Sequence, residues 1–511
     1  MSSQYSISNK KRIAKNTLFL YIRMMLIMAV SLYTSRIILN ALGVVDYGVY
    51  NVVGGMVVMF GFLNSALAQA SQRYIAYGIE KDSVNMQIRT FSMLFNVHII
   101  IAIVILLLSE TIGLWLFYNK LVIPEERMIS AFWVMQFSII SLLVSVTQVP
   151  YNASIFGHEK MNAYAYISIV EVFLKLGVVI AIKYCFEDKL IAYGALTMGA
   201  SVVTALLYRF YCVRKFSNCH YIRYWSSKLF KELFGYTSWS LIGNLAWTFN
   251  SQGMNILINI FFGPVFNAAR GIASSVEAAL SSFLYNFTTP SVPPIIKAYA
   301  VGDIKEMINL NFRSSKLGFL LFMCLSLPLI SIIDNILLIW LITPPSQSNI
   351  FCLLSLIYIQ CNAMSGTLQN VVQATGKVKT YQISNGLLKL LALPVVYVIY
   401  KCGGDVVTYL WVLIVFSIVG LFVQLEVVNR LISEFHISEF LRSVIFPALG
   451  AYILPLLLSL YFWRLDWSFI QAIGILVLMI LICCLSVWYI GFTLYERIWI
   501  MNIVKSKIKN H

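Results

Sequence analysis

Long apolar stretches separated by short polar segments are the feature of this sequence that most restricts its fold. Apolar runs of about 20 residues or more follow one another along the chain, and each is long enough to cross a bilayer as a helix. Hydrophobic residues make up 60% of the 511 residues and charged residues only 11%, whereas about 25% of a soluble domain is charged. The sequence therefore predicts an all-α polytopic membrane protein with short loops, which excludes a large soluble catalytic domain.

The apolar pattern predicts about fourteen transmembrane helices, with twelve as the alternative. Proline interrupts two of them, at 265–296 and 381–400, and proline is tolerated in a span where neighbouring groups satisfy the freed carbonyls. The predicted helices cover residues 17–41, 49–72, 90–117, 129–151, 164–184, 190–211, 233–261, 265–296, 316–341, 350–373, 381–400, 407–429, 442–463 and 470–495.

The distribution of positive charge predicts the orientation of these helices. The chain has 37 Lys and Arg residues against 21 Asp and Glu, and most of the cations fall in segments that are cytoplasmic if the N-terminus is cytoplasmic. The outside loops then hold only Lys120, Arg127, Lys183, Lys189, Lys401 and Arg464. This bias predicts that both termini are cytoplasmic, and cations spread over many loops do not form the single basic face of a nucleic-acid-binding protein.

Cysteine and histidine residues show no metal-binding pattern. The nine cysteines contain no C-x-x-C spacing and the five histidines are scattered singly, so we predict no metal and no cofactor. The first apolar stretch is too long for a cleavable signal peptide and is expected to be retained as a span.

An internal repeat divides the predicted helices into two sets. Residues 42–82 resemble residues 262–303 at an offset of about 220 residues. Gly43 matches Gly263, and Asp82 matches Asp303. Helices 1–6 and 7–12 are therefore expected to be parallel repeats, followed by two extra helices. Parallel repeats of this kind are a transporter architecture with a substrate site near the membrane midplane.

The repeat also predicts the domain organisation. Residues 1–212 form an N-terminal six-helix bundle and residues 233–430 a C-terminal six-helix bundle. Residues 213–232 form a basic cytoplasmic linker, whose aromatic residues suit contact with the anionic inner leaflet. Residues 431–511 hold the two extra helices and a basic cytoplasmic tail.

One stretch of sequence resembles a known family. Residues 35–51, SRIILNALGVVDYGVYN, resemble the junction of helices 1 and 2 in the polysaccharide transporters, the Wzx-like flippases of O-antigen and capsule units. These belong to the multidrug/oligosaccharidyl-lipid/polysaccharide exporter superfamily, with the lipid II flippases and, more distantly, multidrug extruders. The resemblance implies a bacterial inner-membrane protein that flips lipid-linked oligosaccharide for lipopolysaccharide, capsule or exopolysaccharide, together with other polysaccharide assembly proteins.

Cations within the predicted spans are the first candidates for a binding site. A Lys or Arg at a helix centre costs roughly 2.5–3.5 kcal/mol on the insertion scale, so each one indicates a function. Lys175 and Lys389 lie near the middle of equivalent helices 5 and 11, and Arg270 lies near the start of helix 8. Arg23 and Arg36 lie near the two ends of helix 1, and Arg36 is favoured because it belongs to the family-like stretch. We expect these five to bind substrate in a cationic cavity.

Polar stripes on two helices are the second set of candidates. Amide and hydroxyl side chains at helical spacing mark one face of a helix and suit a watery cavity that holds sugar hydroxyls. The predicted lining residues are Asn244, Thr248, Ser251, Asn255 and Asn259 in helix 7, and Asn362, Gln369 and Gln373, with Ser365, in helix 10. Polar contacts between packed helices are the alternative.

These residues allow three interpretations of the function. A cationic cavity with neutral hydrogen-bonding groups fits a polyprenyl-pyrophosphate-linked oligosaccharide, moved by alternating access. A drug or small-molecule exporter on the same fold would use intramembrane carboxylates instead. Glu171, Glu277 and Glu426 are the candidates for that role and for coupling to an H⁺ or Na⁺ gradient. Glu171 and Glu277 are also placed to pair with nearby cations on their own helices.

The third interpretation is that the protein is a membrane enzyme. Such an enzyme needs acid and base residues on a sizeable loop, but the outside loops are short. The carboxylates Glu125 and Glu126, which stand beside Arg127, are interpreted as a solvated turn. The sequence therefore predicts a transporter without catalytic residues.

Overall fold

The computed structural model describes residues 2–185, 187–494 and 496–498. Of the helical residues 2–24, 65, 66, 69, 80, 185, 234, 236–240 and 242, it describes only the backbone. The predicted substrate residue Arg23 is among these, so the position of its side chain lies outside the described part of the chain.

The first half of the described chain is helical apart from short connections. The helices are α1 (Ser2–Met59), α2 (Phe62–Lys81), α3 (Val84–Leu108), α4 (Leu114–Asn119), α5 (Met128–Gly157), α6 (Met161–Cys185), α7 (Lys189–Lys215), α8 (Ser227–Phe262) and α9 (Pro264–Thr288). A π-helical turn, Ser109–Gly113, joins α3 to α4 without a loop.

The second half continues in the same way. The helices are α10 (Val292–Ala300), α11 (Ile304–Ser331), α12 (Ile333–Leu341), α13 (Ser348–Ser365), α14 (Leu368–Thr375), α15 (Val378–Lys401), α16 (Thr408–Leu431), α17 (Ile437–Phe440), α18 (Phe446–Trp463) and α19 (Phe469–Ser486). Two further π-helical turns, Leu441–Ile445 and Val487–Gly491, join α17 to α18 and extend α19.

This architecture confirms the predicted all-α polytopic membrane class. In the described residues, 11 helices are long and apolar enough to cross a membrane. The predicted spans 233–261 and 265–296 lie outside these helices and coincide with the more polar α8 and with α9 and α10. The predicted span 49–72 is shared between the end of α1 and the start of α2. The prolines of 265–296 do break that segment, at the 3₁₀ turn Thr289–Ser291, whereas α15 stays continuous through Pro394.

Several predicted boundaries were wrong. The first helix begins at Ser2 rather than at residue 17, because polar residues also continue a helix where no proline or glycine stops it. The predicted helix 49–72 is divided by a turn at Phe60 and Gly61, where each amide donates to a carbonyl three residues earlier. The predicted helix 350–373 is divided at Gly366 and Thr367.

The chain divides into two compact units, residues 1–271 and 272–511. In the first unit, α5 packs against α2, α3 and α7, and α1 packs against α5, α6 and α8. In the second unit, α11 packs against α13, α18 and α19, while α15 packs against α16. The domain boundaries proposed from the repeat stay a prediction.

The two glycines that the repeat pairs share one backbone conformation. Gly43 has φ 80° and ψ 170°, and Gly263 has φ 80° and ψ −179°. This region of φ/ψ space is essentially restricted to glycine. Gly43 therefore breaks α1 into two helical segments, and Gly263 separates α8 from α9, in both cases with no loop in between.

Candidate functional site

An ion pair in the first unit holds the aspartate of the family-like stretch. Asp46 lies in α1, three residues after Gly43, and its side chain is only 5% exposed. Arg127 Nε donates to Asp46 Oδ1 at 2.8 Å, and Arg127 Nη2 contacts Asp46 Oδ2. A bidentate arginine–carboxylate pair combines charge with a fixed geometry, so the buried carboxylate is compensated.

Glu125 and Glu126, the carboxylates interpreted as a solvated turn, differ in their surroundings from the arginine beside them. Glu125 and Glu126 are exposed, but Arg127 is half-buried against a partner 81 residues away in sequence. No local pattern indicates such a distant partner.

A second carboxylate completes this cluster. Asp188 caps the N-terminus of α7, accepting from the amides of Leu190 and Ile191 at 3.0 and 3.1 Å. Ser130 Oγ donates to Asp188 Oδ2 at 2.6 Å, and Arg127 Nη1 lies 3.6 Å from the same oxygen. Burial acts to raise the pKa of Asp188, but Ser130, the amides and Arg127 outweigh it and hold the pKa below its ordinary value. The carboxylate is therefore charged near neutral pH.

Buried asparagines link α8 to its neighbours in the same unit. Asn259 Nδ2 donates to the carbonyl of Val122 and to Asn267 Oδ1, both at 3.1 Å, while its Oδ1 accepts from the amide of Val122 at 2.7 Å. Asn267 Nδ2 donates to Asn255 Oδ1 at 2.7 Å, and Asn255 Nδ2 donates to the carbonyl of Asn51 at 3.0 Å. These are polar contacts between helices, the alternative that the sequence left open for this stripe. A cavity-lining role for Asn255 and Asn259 stays a prediction.

A close approach of two backbones lies at the same end of α8. A Cβ atom added to Gly48 would overlap the carbonyl of Pro264 at the start of α9. Small residues let helix backbones approach in membranes, so this contact between α1 and α9 depends on a residue without a side chain. The side chain of Asn51 occupies the space beside Gly271, where a Cβ atom on that glycine would overlap it.

The remaining predicted lining residues have varied surroundings. Thr248 is buried, and Asn244 and Ser251 are half-buried on α8. In the second unit the helix 10 stripe is divided between α13 and α14, because the helix breaks at Gly366. Asn362 donates to the carbonyl of Tyr358 and Ser365 to that of Asn362, while Gln369 is half-buried and Gln373 exposed.

The predicted intramembrane cations differ in their environments. Lys175 Nζ lies 2.6 Å from Glu171 Oε1 on the same helix, the intrahelical ion pair that the spacing allowed. Arg270 is 8% exposed on α9, and Arg36 is half-buried on α1. Lys389 is half-buried on α15 in the second unit. These positions leave the predicted binding roles as proposals.

The predicted carboxylates are engaged as well. Glu426 Oε1 accepts from Arg430 Nε at 2.6 Å on α16, so Glu426, like Glu171, is neutralised by a cation one turn away. Glu277 is half-buried on α9. In the described part of the chain, no group of three His, Cys, Asp or Glu side chains is placed to hold a metal ion.

Sequence reasoning missed one buried cation. Lys316 in α11 has a side chain only 4% exposed, and its Nζ lies 2.7 Å from Glu496 Oε2 beyond α19. Burial acts to raise the pKa of Glu496, but Lys316 and the amide and hydroxyl of Thr493 hold it below its ordinary value. The contact ties the segment after the last helix to α11. Lys316 lies at the edge of a predicted span, and nothing in the sequence around it indicates a contact with Glu496.

Together, the candidate spans and the glycine break at Gly43 and Gly263 define an all-α polytopic membrane fold. The chain is similar to the lipid II flippase MurJ in an inward closed conformation, with a TM-score of 0.69 and 14% identity, over 92% of this chain and 98% of that one. It is also similar to an inward-facing multidrug resistance MATE family transporter of the MOP superfamily, with a TM-score of 0.55 and 13% identity, over 80% and 94% of the two chains.

A third similar structure is a MOP superfamily transporter from Pyrococcus furiosus, with a TM-score of 0.54 and 15% identity, over 82% and 96% of the two chains. No protein-family model and no curated protein matches the sequence. At these identities the likeness shows the fold alone, so the chain has the fold of these three proteins.

Proposed function

We propose that the protein is a flippase that moves a polyprenyl-pyrophosphate-linked oligosaccharide across the bacterial inner membrane by alternating access. The substrate is a repeat unit of O-antigen, capsule or exopolysaccharide. The fold likeness to the lipid II flippase MurJ supports this proposal, because that protein also flips a lipid.

The observation that carries the proposal is the balance of intramembrane charge. Two of the three predicted carboxylates, Glu171 and Glu426, form ion pairs with cations on their own helices. Carboxylates engaged in this way are not available to bind a cationic drug. Buried Arg270 and half-buried Lys389 provide the positive charge that a pyrophosphate requires.

The proposed roles follow from ligand chemistry. Guanidinium and ammonium groups bind phosphate oxygens through charge-assisted hydrogen bonds, the role we assign to Arg36, Arg270 and Lys389. Arg23 and Lys175, which is paired with Glu171, are the remaining candidates. Amide and hydroxyl groups of the two polar stripes hydrogen-bond the sugar, while the polyprenyl tail stays in lipid.

The same proposal includes the orientation and the energy source. Both termini lie in the cytoplasm, as the positive-inside rule predicts. An H⁺ or Na⁺ gradient drives transport, and half-buried Glu277 is the first carboxylate to test for coupling. Other polysaccharide assembly proteins supply the substrate and receive the product.

Deletion of the gene tests this proposal. Surface polysaccharide is expected to disappear while its lipid-linked repeat unit accumulates facing the cytoplasm. The intact chain restores export, but Lys389→Ala does not. Lys401→Ala is the matched control, because Lys401 is an exposed lysine at the end of the same helix, and it restores export. Rescue by Lys389→Ala at equal membrane abundance contradicts the cationic role.

A MATE-like exporter of drugs or small molecules is the second candidate, favoured by the fold likeness to a multidrug resistance transporter. Under this reading, deletion leaves polysaccharide unchanged and raises sensitivity to cationic dyes. Glu171→Gln and Glu426→Gln then abolish resistance, whereas Lys389→Ala retains it.

A further inference from the structure

The connection between α7 and α8 is not a free tether. Residues 216–226, here called the strap, form no helix but are fixed along α3. The amide of Ile222 donates to Ser92 Oγ at 2.9 Å, and Asn96 Nδ2 donates to the carbonyl of Tyr224 at 2.9 Å. Tyr221 OH donates to Asn96 Oδ1 at 3.0 Å. These hydrogen bonds give the strap a defined inner side and a defined outer side.

The outer side of the strap presents large apolar side chains. Tyr221 is 52% exposed, Ile222 41% and Trp225 48%. Aromatic side chains concentrate at membrane–water interfaces; Trp225 and Tyr221 are of this kind, although the hydroxyl of Tyr221 donates to Asn96. The strap also follows directly after α7, a helix long and apolar enough to cross a membrane, so these side chains lie near one end of a candidate span.

Cations surround these apolar side chains. No Asp or Glu occurs between residues 209 and 231. In the described part of the chain, Arg214, Lys215, Arg223, Lys228 and Lys231 are all exposed, and no carboxylate is ion-paired with any of them. The surface therefore combines unneutralised positive charge with interfacial aromatic residues, which is a chemistry that complements an anionic headgroup layer.

We propose that the strap and its flanking cations form a binding surface for anionic phospholipid headgroups of the leaflet that they face. The cations bind the headgroup phosphates, while Tyr221 and Trp225 lie at the level of the glycerol backbone. Hydrogen bonds to Ser92 and Asn96 keep this surface in place, so headgroups meet a preformed site. The proposal does not depend on the nature of the transported substrate.

The expected strength follows from the number of charges. Each Lys or Arg near an anionic bilayer surface strengthens binding about fivefold. Removal of three charges from the strap region therefore weakens phosphatidylglycerol binding on the order of a hundredfold. Salt weakens the attraction further, since surface charges are screened over about 8–10 Å at 0.1–0.15 M ionic strength.

Native mass spectrometry of the purified full-length protein tests the proposal, with phosphatidylglycerol and phosphatidylcholine as separate probes. The wild-type chain is expected to retain phosphatidylglycerol and to release phosphatidylcholine at lower collision energy. The triple variant Arg214→Gln, Lys215→Gln, Arg223→Gln loses the difference, whereas Arg214→Lys with Arg223→Lys retains it. A charge-preserving variant that binds normally shows that the loss is due to charge and not to misfolding.

A matched control removes three exposed lysines from other parts of the surface. Lys120→Gln, Lys183→Gln and Lys401→Gln together leave phosphatidylglycerol binding unchanged. Equal loss in both triple variants, or no loss in the strap variant, overturns the proposal. Selective retention of RNA or of a protein in place of lipid, tested with the same purified chain, overturns it as well. Because no transport substrate is present, failure here is separate from failure of the proposed flippase function.

Discussion

Removal of Arg127 is expected to destabilise the first unit strongly. Arg127→Ala leaves the carboxylate of Asp46, only 5% exposed, without its bidentate partner. Breaking a buried ion pair from one side costs about 3–5 kcal/mol. Because Arg127 itself is 36% exposed and solvent enters when it is removed, the lower end, about 3 kcal/mol, applies.

The cost comes from the stranded charge, which a double-mutant cycle separates from the other effects. Asp46→Asn removes the charge and keeps the shape, and it is expected to cost about 1.5 kcal/mol through weakened hydrogen bonds. The double variant Arg127→Ala with Asp46→Asn is expected to cost about 2 kcal/mol, since the more deeply buried charge, that of Asp46, is no longer stranded. The coupling between the two sites is then about 2.5 kcal/mol, which is within the range for residues in contact.

Titration of the purified protein with a denaturing detergent, followed by circular dichroism, gives the free energies of unfolding for this cycle. Glu126→Ala is the control, because Glu126 is an exposed neighbour of Arg127 and surface changes stay within about 0.5 kcal/mol. Additive effects of the two substitutions, or an Arg127→Ala variant as stable as the control, refute the argument that Asp46 depends on this arginine.

Three further predictions concern the backbone and the C-terminal contact. Gly48→Leu is expected to abolish monodisperse protein in size-exclusion chromatography, because its side chain overlaps the carbonyl of Pro264; a normal profile contradicts the close contact. Gly43→Ala is expected to cost about 1–3 kcal/mol in the same detergent titration, because φ 80° with ψ 170° disfavours any side chain, and an unchanged midpoint counts against this conformation. The pKa of Glu496 is lowered in the folded state, so the stability it contributes is present above its unfolded pKa of about 4.5 and is lost as pH falls through the folded value. Melting temperatures at pH 7 and pH 4 are expected to differ less in Lys316→Met than in the wild-type chain, and equal differences exclude this linkage.

The sequence predicts the spans well because their cause is local. Each apolar run must satisfy its own backbone hydrogen bonds in lipid, and only a helix does so within one segment. The pairing of Gly43 with Gly263 is likewise visible in sequence, since the two segments align without any knowledge of packing. The prolines of 265–296 also indicate an interruption correctly.

The side-chain partners could not be predicted because they depend on packing between distant segments. The contact of Arg127 with Asp46 spans 81 residues, that of Asn259 with Val122 spans 137, and that of Lys316 with Glu496 spans 180. Helical spacing shows that polar residues share a face, but it does not show whether that face meets water or another helix. By contrast, the pair of Lys175 with the glutamate one turn earlier was accessible, because both lie on one helix.

The glycine breaks have a mechanical consequence. A connection of one residue has only two soft torsions, φ and ψ, so Gly43 and Gly263 act as single-residue joints. A change in the angle between the two helical segments at these points requires rotation about φ and ψ of one glycine. Without that rotation, the two segments move together as one rigid bent unit. A flexible loop would absorb such a tilt, whereas these joints transmit it along the chain from one helix directly into the next.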